Sequence, residues 1–445
     1  MATPLSATFA RWGEPPEPVV ISPRARAFLD REVGPATPRP AVPVADIVLP
    51  QGRLTAAAAA ALASAVGPAH LRTDREARLT CAGGASYVDL LRKRAGDVSD
   101  APDAVVEPAS HDEVMAVLRV CAEHRVAVVP FGGGTSVVGG VRPLRDGCDA
   151  VVALWLHRMA DLVHLDVVSG LATVGPGITG PVLERLLAAR GFTLGHLPQS
   201  WERGSVGGYV ATRSAGQSSS GYGRADEMVD AVRVATPSGD LRLGRAPSSA
   251  AGPKLTELFV GSEGVLGVLT EVTLRVRHLP GEKRYEGLMF PSYAAGIAGF
   301  RALAQAELRP DVMRLSDRPE TEVTLAMSGP TGRVGSALDA YLRARHVAEG
   351  ALAILGWEGV PGAARARRAA AGPILRQYGA VSLGARVGRS WEHGRFSGPY
   401  LRDVLLDEGY LVETLETATH WDRLEALHDA VRSSLRGSLA DGGPG

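Results

Sequence analysis

The sequence predicts an α+β chain whose N-terminal half is rich in glycine and whose C-terminal half is more helical. A helix, a buried strand and a glycine-rich loop follow one another near residue 130, and strands separated by turns continue to about residue 280. From residue 282 glycines are fewer and helical stretches are longer. We therefore expect an arm with short helices over 1–75, one domain over 76–280 and a second over 281–445.

The composition argues against several classes of function. The chain has 445 residues and a formal net charge of zero, which disfavours the large basic surface that binds nucleic acid. Cys81, Cys121 and Cys148 have neither a metal-binding spacing nor the even count of a disulfide framework. We therefore predict no metal site and a cytoplasmic location. The apolar run 56–66 is too short to span a membrane and predicts a helix instead.

Local signals place the secondary structure. Ser110 and Glu113 have the spacing of a capping box, and apolar residues at helical spacing follow to about residue 123. The apolar run 126–129 predicts a buried strand. Further strands are predicted at 150–154, 171–174, 231–236 and 270–276, and further helices after Gly180-Pro181, at 294–306 and at 338–351. Residues 195–224 have no regular pattern, which indicates a functional or a disordered segment.

The loop after the buried strand contains Gly132, Gly133 and Gly134, followed by Thr135 and Ser136. Consecutive glycines let backbone N–H groups approach an anion closely, and the two hydroxyls add donors. The loop lacks the lysine of a Walker motif and the third glycine of the dinucleotide fingerprint. By itself it is equally consistent with phosphate binding and with a tight structural turn.

Two later segments have a similar composition. Gln199–Gly216 carries Gly207-Gly208 among serines and threonines, so that it can pass close to a flat ligand. Gly261–Gly267 places one carboxylate, Glu263, between glycines. Taken singly, the first is also consistent with a polar surface loop and the second with a pair of turns.

In order and spacing, the three segments resemble the FAD domain of the vanillyl-alcohol-oxidase / p-cresol-methylhydroxylase family, over about residues 75–425. The resemblance implies a two-subdomain FAD-binding domain of the p-cresol-methylhydroxylase type, followed by an α+β cap domain for the substrate. Within that family, the segment Ala211–Gly216 is similar to the corresponding segment of the alkyldihydroxyacetonephosphate synthases. The 2-hydroxy-acid dehydrogenases more usually have Asn where this chain has Arg213.

The resemblance also implies the residues that contact FAD. In the family the first segment holds the pyrophosphate, and the other two line the isoalloxazine and the rest of the cofactor. The first loop contains no His or Cys for a covalent link, so we expect non-covalent FAD. The implied residues are Pro130, Phe131, Gly132, Gly133, Gly134, Thr135, Ser136, Gln199, Ser200, Trp201, Glu202, Arg203, Gly204, Ser205, Thr212, Arg213, Ser214, Ala215, Gly261, Ser262, Glu263, Gly264, Val265, Leu266 and Gly267.

Two arginines are implied for substrate binding. Arg314 lies in a stretch, 312–317, that resembles one near the family's active site, and Arg402 lies in Tyr400–Asp403, which resembles a substrate-binding stretch. Residues 416–417 and 421–422 extend the likeness. A guanidinium fork suits a phosphate ester because it donates paired hydrogen bonds. The alternative for each arginine is an ordinary surface ion pair.

For activity, the resemblance implies exchange of the acyl group of acyl-dihydroxyacetonephosphate for a fatty alcohol in ether-lipid synthesis. Flavin N5 acts there as a nucleophile, without net redox change. The alternative is an FAD-dependent oxidoreductase acting on a 2-hydroxy acid or an alcohol. Either function predicts a small-molecule or lipid-phosphate substrate, and both peripheral contact with a membrane and a homodimer stay open.

The family's later catalytic residues, a tyrosine and then a run of histidines, have no counterpart in the sequence. The chain contains no His-His-His, and its last tyrosine, Tyr410, precedes the matching stretch at Trp421-Asp422. We therefore assign no catalytic residue. We expect a cap domain that is incomplete at its C-terminus, with impaired or absent synthase activity. The chain is then either a truncated product or a natural form that binds FAD without the family's chemistry.

Overall fold

The computed structural model describes residues 5–244, 246–247, 249–330 and 332–441. The chain groups into two compact units. Unit 1 takes residues up to Ile21, Val33–Gly281 and Glu392–Tyr410, and unit 2 takes Ser22–Glu32, Glu282–Trp391 and residues from Leu411 onward. The division into arm, FAD domain and cap domain stays a prediction from the sequence.

The α-helices of the described residues are interspersed with the strands along the chain. They are α1 (Leu5–Thr8), α2 (Pro23–Glu32), α3 (Ala56–Val66), α4 (Arg75–Thr80), α5 (Tyr87–Arg94), α6 (His111–Glu123), α7 (Gly180–Ala188), α8 (Val206–Ala211), α9 (Ser219–Tyr222), α10 (Ala225–Met228), α11 (Thr256–Phe259), α12 (Tyr293–Gln305), α13 (Arg318–Ser328), α14 (Gly332–Ala344), α15 (Ala363–Gln377), α16 (Ala385–Gly394), α17 (Gly398–Asp407) and α18 (Leu424–Asp441). Short 3-10 helices cover Val44–Asp46, Pro68–His70, Leu156–Arg158 and Trp421–Arg423.

The strands form sheets that each lie within one unit. They are β1 (Leu71–Arg72), β2 (Ala104–Val106), β3 (Val126–Phe131), β4 (Ala150–Trp155), β5 (Leu162–Asp166), β6 (Leu171–Val174), β7 (Phe192–Thr193), β8 (Val229–Thr236), β9 (Gly239–Leu243), β10 (Val268–Arg275), β11 (Arg277–His278), β12 (Glu282–Phe290), β13 (Val312–Leu315), β14 (Ala351–Gly359) and β15 (Val381–Gly384).

The first sheet of unit 1 has the order β1-β2-β4-β3, with β2, β4 and β3 parallel and β1 antiparallel to β2. Residues 150–154 of β4 are all buried, which explains why this strand is an unbroken apolar run. Helices α3 and α6 pack on the sheet through Leu62, Val114 and Val117. Because β3 and β4 are parallel and adjacent, their carboxyl ends meet at one edge of the sheet.

The second sheet of unit 1 is antiparallel, in the order β5-β6-β10-β8-β9. Buried and half-buried residues alternate along β6, as expected where one face meets the core. That core includes Leu183 and Leu187 of α7 and Val206 and Val210 of α8. A short pair, β11-β7, completes the unit's sheets.

Unit 2 contains the antiparallel sheet β13-β14-β12-β15. Its central strands β12 and β14 pair along their whole length. Glu282 lies opposite Gly359 at one end, and Phe290 lies opposite Ala351 at the other. Helices α12 and α15 contribute Phe300, Leu303 and Leu375 to the same core as Trp357, which is fully buried. The α+β fold predicted from the sequence is confirmed in both units.

Several predicted elements are confirmed within a few residues. The Ser110 hydroxyl accepts the Glu113 N–H at 3.2 Å and begins α6, although the Glu113 carboxylate accepts from Ala109 rather than from Ser110. The predicted strands correspond to β3, β4, β6, β8 and β10. Residues 195–224, without a pattern in sequence, contain the short helices α8 and α9.

The helix predicted at 338–351 is wrong at both ends. Helix α14 covers Gly332–Ala344, and residue 351 already begins β14. The chain turns at His346, which has a φ of 57°, and the Val347 N–H closes back to the Leu342 carbonyl at 3.0 Å. A histidine in this left-handed conformation carries none of the glycine signal that usually marks a helix end.

Candidate cofactor site

A cavity of about 250 Å³ lies in unit 1 at the carboxyl ends of β3 and β4. Ligands of open α/β sheets bind at this kind of edge, where loops leave the strands. The lining residues come from several parts of the unit and are Leu5, Thr8, Phe9, Arg11, Thr80, Gly83, Gly84, Ala85, Leu90, Lys93, Phe131, Gly132, Gly133, Gly134, Trp155, His157, Gly177, Thr179, Arg203 and Ser205.

The three glycines of the first loop are required by close approach of neighbouring atoms. A Cβ on Gly132 would overlap the Ser205 hydroxyl, and a Cβ on Gly133 would overlap the Arg203 carbonyl oxygen. Gly134 has a φ of 65°, in the left-handed region that favours glycine. The loop is thus a bare stretch of backbone on the cavity wall, as a diphosphate cradle requires.

The end of β4 supports this loop. The Trp155 indole N–H donates to the Gly132 carbonyl at 3.1 Å, and its ring meets Phe131 edge-on at 6.3 Å. The His157 ring lies 4.2 Å from the Trp155 ring. Strand pairing of β3 with β4 therefore brings two aromatic residues and a histidine to the cavity.

The second glycine-rich segment reaches the cavity through the start of α8. The Ser205 hydroxyl accepts the Gly208 N–H and caps that helix. Val206 N–H donates to the Ile178 carbonyl at 2.8 Å, so Ser205 lies beside Gly177 and Thr179. Gly207 is needed because a Cβ there would lie 2.5 Å from the Cβ of Pro176.

The third segment, Gly261–Gly267, lies against the first two. The Arg213 Nε donates to the Val260 carbonyl at 2.9 Å, and the Gly261 N–H donates to the Val210 carbonyl at 3.1 Å. A Cβ on Gly264 would lie 2.9 Å from Pro130. The fold therefore brings the three segments together, with the side chain of Arg213 occupied in holding the turn.

Cations line the cavity, and no aspartate or glutamate is among the described lining residues. Lys93 is 6% exposed, and its ammonium donates to the carbonyls of Gly83 and Gly84 at 3.1 and 2.9 Å. Burial lowers the pKa of Lys93 to about 8. Burial also lowers the pKa of Arg203, against the attraction of Asp403. A buried cavity with Arg11, Lys93 and Arg203 on its walls favours an anion.

A buried histidine pairs with one residue of the second glycine-rich segment, outside the described lining of the cavity. The His196 Nε2 is 2.7 Å from the Ser214 hydroxyl, so Ser214, a predicted cofactor residue, already has a partner. Burial lowers the pKa of His196 to about 4, which keeps the ring neutral. The pair therefore anchors the chain between β7 and α9.

Of the residues implied for FAD, Phe131, Gly132, Gly133, Gly134, Arg203 and Ser205 line the cavity. The remaining implied residues lie outside its lining and stay predictions. Sequence reasoning missed Lys93, Trp155 and His157. Trp155 and His157 could have been found, because they directly follow the apolar run predicted as β4. Lys93 gave no signal, because its side chain is buried only through tertiary contacts.

The two arginines predicted for substrate differ in environment. Arg402, in α17 of unit 1, is 18% exposed and lies 3.6 Å from Asp403. Its Nε and Nη2 are buried and make no hydrogen bond to a described residue. Arg314, on β13 of unit 2, is exposed and lies 6.0 Å from the centre of the Trp391 ring. Arg402 thus combines an ion pair to Asp403 through Nη2 with buried donors that make no hydrogen bond to a described residue.

Parallel strands that end on a glycine-rich loop beside a cationic cavity form the arrangement of a protein that binds a phosphate-bearing cofactor. Residues 102–244 match the family description "FAD binding domain", and residues 279–441 match "FAD linked oxidases, C-terminal domain". FAD is therefore the cofactor of this chain. A solved p-cresol methylhydroxylase with substrate bound shares the fold, with a TM-score of 0.54 and 16% identity over 80% of this chain and 70% of that chain.

Closer relatives identify the branch. A solved alkyldihydroxyacetonephosphate synthase superposes with a TM-score of 0.84 and 30% identity, over 95% of this chain and 79% of that one. The alkyldihydroxyacetonephosphate synthase of Trypanosoma brucei brucei is 33% identical over 383 residues, which are 84% of this chain and 62% of the relative. The chain belongs to the alkyldihydroxyacetonephosphate synthase family of FAD-dependent enzymes. It spans 62% of the length of that curated relative.

The expectation of a fold incomplete at the C-terminus is not supported. The C-terminal domain of FAD-linked oxidases matches as far as residue 441. Residues after 411 also pack within unit 2: the His428 ring lies 4.4 Å from that of Tyr293, and its Nε2 is 3.1 Å from an Asp317 oxygen.

Proposed function

We propose that FAD binds in the unit 1 cavity with its diphosphate on the Gly132–Gly134 loop. The observation that carries this placement is the combination of bare backbone and three cationic side chains without a lining carboxylate. Lys93 would hold its proton beside the diphosphate, because an ammonium and a phosphate form charge-assisted hydrogen bonds. The site residues outside the cavity lining remain part of this proposal, with FAD held non-covalently.

We further propose the activity of the family's named members for this chain: exchange of an acyl group of acyl-dihydroxyacetonephosphate for a fatty alcohol. When bound, the flavin supplies the nucleophilic nitrogen implied by the resemblance. The chain's own residues bind and orient the cofactor and the substrate, and they neutralise the negative charge of the phosphates. Arg402 is proposed to donate to a phosphate ester through its buried Nε and Nη2, which make no hydrogen bond to a described residue, and Arg314 is proposed as a second substrate contact.

The compartment and the partners are also proposals. The cysteines Cys81, Cys121 and Cys148 are free, which fits the cytoplasm. No helix among the described residues is long and apolar enough to cross a membrane. A lipid-phosphate substrate would require peripheral contact with a membrane, which co-sedimentation with phospholipid vesicles tests. A homodimer is tested by sedimentation equilibrium.

A three-part assay tests the proposed function. Purified protein should carry a flavin spectrum, and heat denaturation should release all of the flavin, since the link is non-covalent. With acyl-dihydroxyacetonephosphate and a labelled fatty alcohol, label in the ether product without bleaching of the flavin supports the proposed exchange and contradicts the impaired activity that the lack of the tyrosine and the histidine run predicts. Bleaching by a 2-hydroxy acid or an alcohol, without label transfer, would instead support the oxidoreductase.

Arginine variants sharpen the assignment of substrate. Arg402→Lys should raise the KM for the phosphate substrate by about tenfold, because lysine cannot reproduce paired hydrogen bonds. FAD affinity should stay within about twofold. Arg345→Lys, at an exposed position, is the matched control. An unchanged KM for Arg402→Lys would remove Arg402 from the substrate site.

A further inference from the structure

The N-terminal segment Leu5–Trp12 forms one wall of the cofactor cavity, although no sequence motif marks it. Phe9 is 4% exposed and Trp12 is 5% exposed. The lining residues from this segment are Leu5, Thr8, Phe9 and Arg11. A molecule that fills the cavity must therefore contact the segment.

The end of the segment is fixed by the backbone of Trp12. Its N–H donates to the Asp403 carboxylate at 2.5 Å, and its carbonyl accepts from Arg203 Nη1 at 2.7 Å. The Arg203 guanidinium also lies over the Trp12 ring, 5.3 Å from its centre. One residue thus joins the segment both to α17 and to the segment proposed to bind the flavin.

The middle of the segment is fixed by Phe9 and Arg11. The Phe9 ring lies 5.8 Å from the Lys93 ammonium and packs with Ile47 and Leu79. Arg11 shares the Asp407 carboxylate with Arg94, at 2.5 and 2.6 Å. These contacts place the segment directly over the cationic part of the cavity.

Side chains and three hydrogen bonds to its backbone hold the segment, and it takes part in none of the described sheets. Residues 13–21 lack regular structure and are mostly exposed or half-buried. The segment can therefore open without breaking a sheet, at a lower free energy than the unfolding of unit 1.

We propose that Leu5–Trp12 is a clasp that covers the diphosphate part of bound FAD and slows its release. The inference rests on the cofactor placement proposed above. Because the clasp lies over the cradle, the cofactor leaves only when the segment opens. The contribution to affinity therefore appears in the dissociation rate, as is usual when a segment closes over a ligand.

The first test compares FAD dissociation rates, measured by recovery of flavin fluorescence after dilution. Trp12→Ala should release FAD about tenfold faster, because it removes the aromatic face under Arg203. Trp12→Phe should restore release to within about twofold, since it keeps an aromatic face. Val20→Ala, exposed and outside the cavity lining, is the control and should match the wild type. Equal release from Trp12→Ala and the wild type overturns the clasp.

The second test uses the wild-type protein, so it does not depend on a variant that folds. FAD should slow tryptic cleavage after Arg11 about tenfold, because cleavage needs the open segment. The product that begins at Trp12 is identified by mass. A cleavage rate unaffected by FAD contradicts the clasp.

Gly133→Ala separates the two proposals. If this variant loses FAD while the Trp12 variants release it at the wild-type rate, the clasp fails and the cofactor placement stands. If Gly133→Ala binds FAD like the wild type, the placement fails and the clasp fails with it.

Discussion

Unit 2 and the cavity of unit 1 treat buried charge differently. In unit 2 the Glu286 carboxylate accepts from Arg368 at 2.5 Å, and Asp311 accepts from Arg367 at 2.6 Å. In the unit 1 cavity, Lys93 and Arg203 donate to backbone carbonyls, with no carboxylate in the described lining. Paired charge stabilises a fold in one geometry, whereas cations that meet no carboxylate within the cavity lining mark the place where an anionic ligand can bind.

The largest expected effect on FAD affinity comes from altering the glycine loop Gly132–Gly134. In Gly133→Ala the new Cβ must displace the Arg203 carbonyl, so the loop can no longer present its backbone to a diphosphate. We expect FAD affinity to fall about hundredfold, equivalent to about 3 kcal/mol. Titration followed by flavin fluorescence gives the dissociation constant.

Gly437→Ala is the matched control for this prediction. Gly437 lies in α18 with open space where a Cβ would stand, so the alanine should fit and leave FAD binding unchanged. It should also stabilise the helix slightly, by about 0.5–1 kcal/mol. Equal FAD affinity of the Gly133 and Gly437 variants would argue against the cradle.

The next effect belongs to the buried lysine. Lys93→Met keeps the length of the side chain and removes the charge, so at pH 7 FAD affinity should fall about tenfold. The apo protein should lose at most about 1 kcal/mol of stability, because relief from burying the ammonium offsets the two hydrogen bonds lost at the Gly83 and Gly84 carbonyls. Isothermal titration with FAD and thermal unfolding of the apo form measure the two effects. A parallel loss of both would indicate a structural role instead.

The pH dependence of FAD binding tests the same contact between the Lys93 ammonium and the diphosphate. The pKa of Lys93 is lowered to about 8 by burial, and a bound diphosphate would raise it again by attraction. Above pH 8 the complex then holds more protons than the free protein, so raising the pH weakens FAD binding. Between pH 8 and 9 the dissociation constant should rise about three- to fivefold in the wild type.

The stability of the apo protein should respond with the opposite sign. Between pH 8 and 10.5 the unfolded chain keeps the Lys93 proton and the folded chain loses it, so this group's contribution to stability rises with pH. In Lys93→Met, both the weakening of FAD binding with rising pH and the gain in apo-protein stability with rising pH should disappear. A wild-type dissociation constant that is flat from pH 7 to 9 would contradict the contact between ammonium and diphosphate.

The parts of the molecule that sequence predicted are those fixed by neighbouring residues. A capping serine and an apolar repeat set the start of α6, and an unbroken apolar run set β4. The glycines of the cradle are local as well, because bare backbone leaves a direct trace in sequence. The segment Leu5–Trp12 could not be predicted from sequence. Trp12 contacts Asp403, which is 391 residues away in the chain, and no local sequence pattern encodes such a contact.

The smallest expected effect on FAD comes from breaking paired charge in unit 2. Glu286 accepts hydrogen bonds from Arg368 and from the Trp357 indole N–H at 3.3 Å, deep against the unit's core. Glu286→Ala leaves both donors without their acceptor. The free energy of unfolding should fall by about 2 kcal/mol, moderated because Arg368 is partly exposed to water. Urea unfolding measures this loss.

FAD affinity of Glu286→Ala should stay within about twofold of the wild type, since the carboxylate belongs to the architecture of a different unit. Glu286→Gln keeps an acceptor for the indole and should recover part of the lost stability. A large loss of FAD affinity without loss of stability would contradict the contrast between the units, because a paired charge in unit 2 would then serve the cofactor directly.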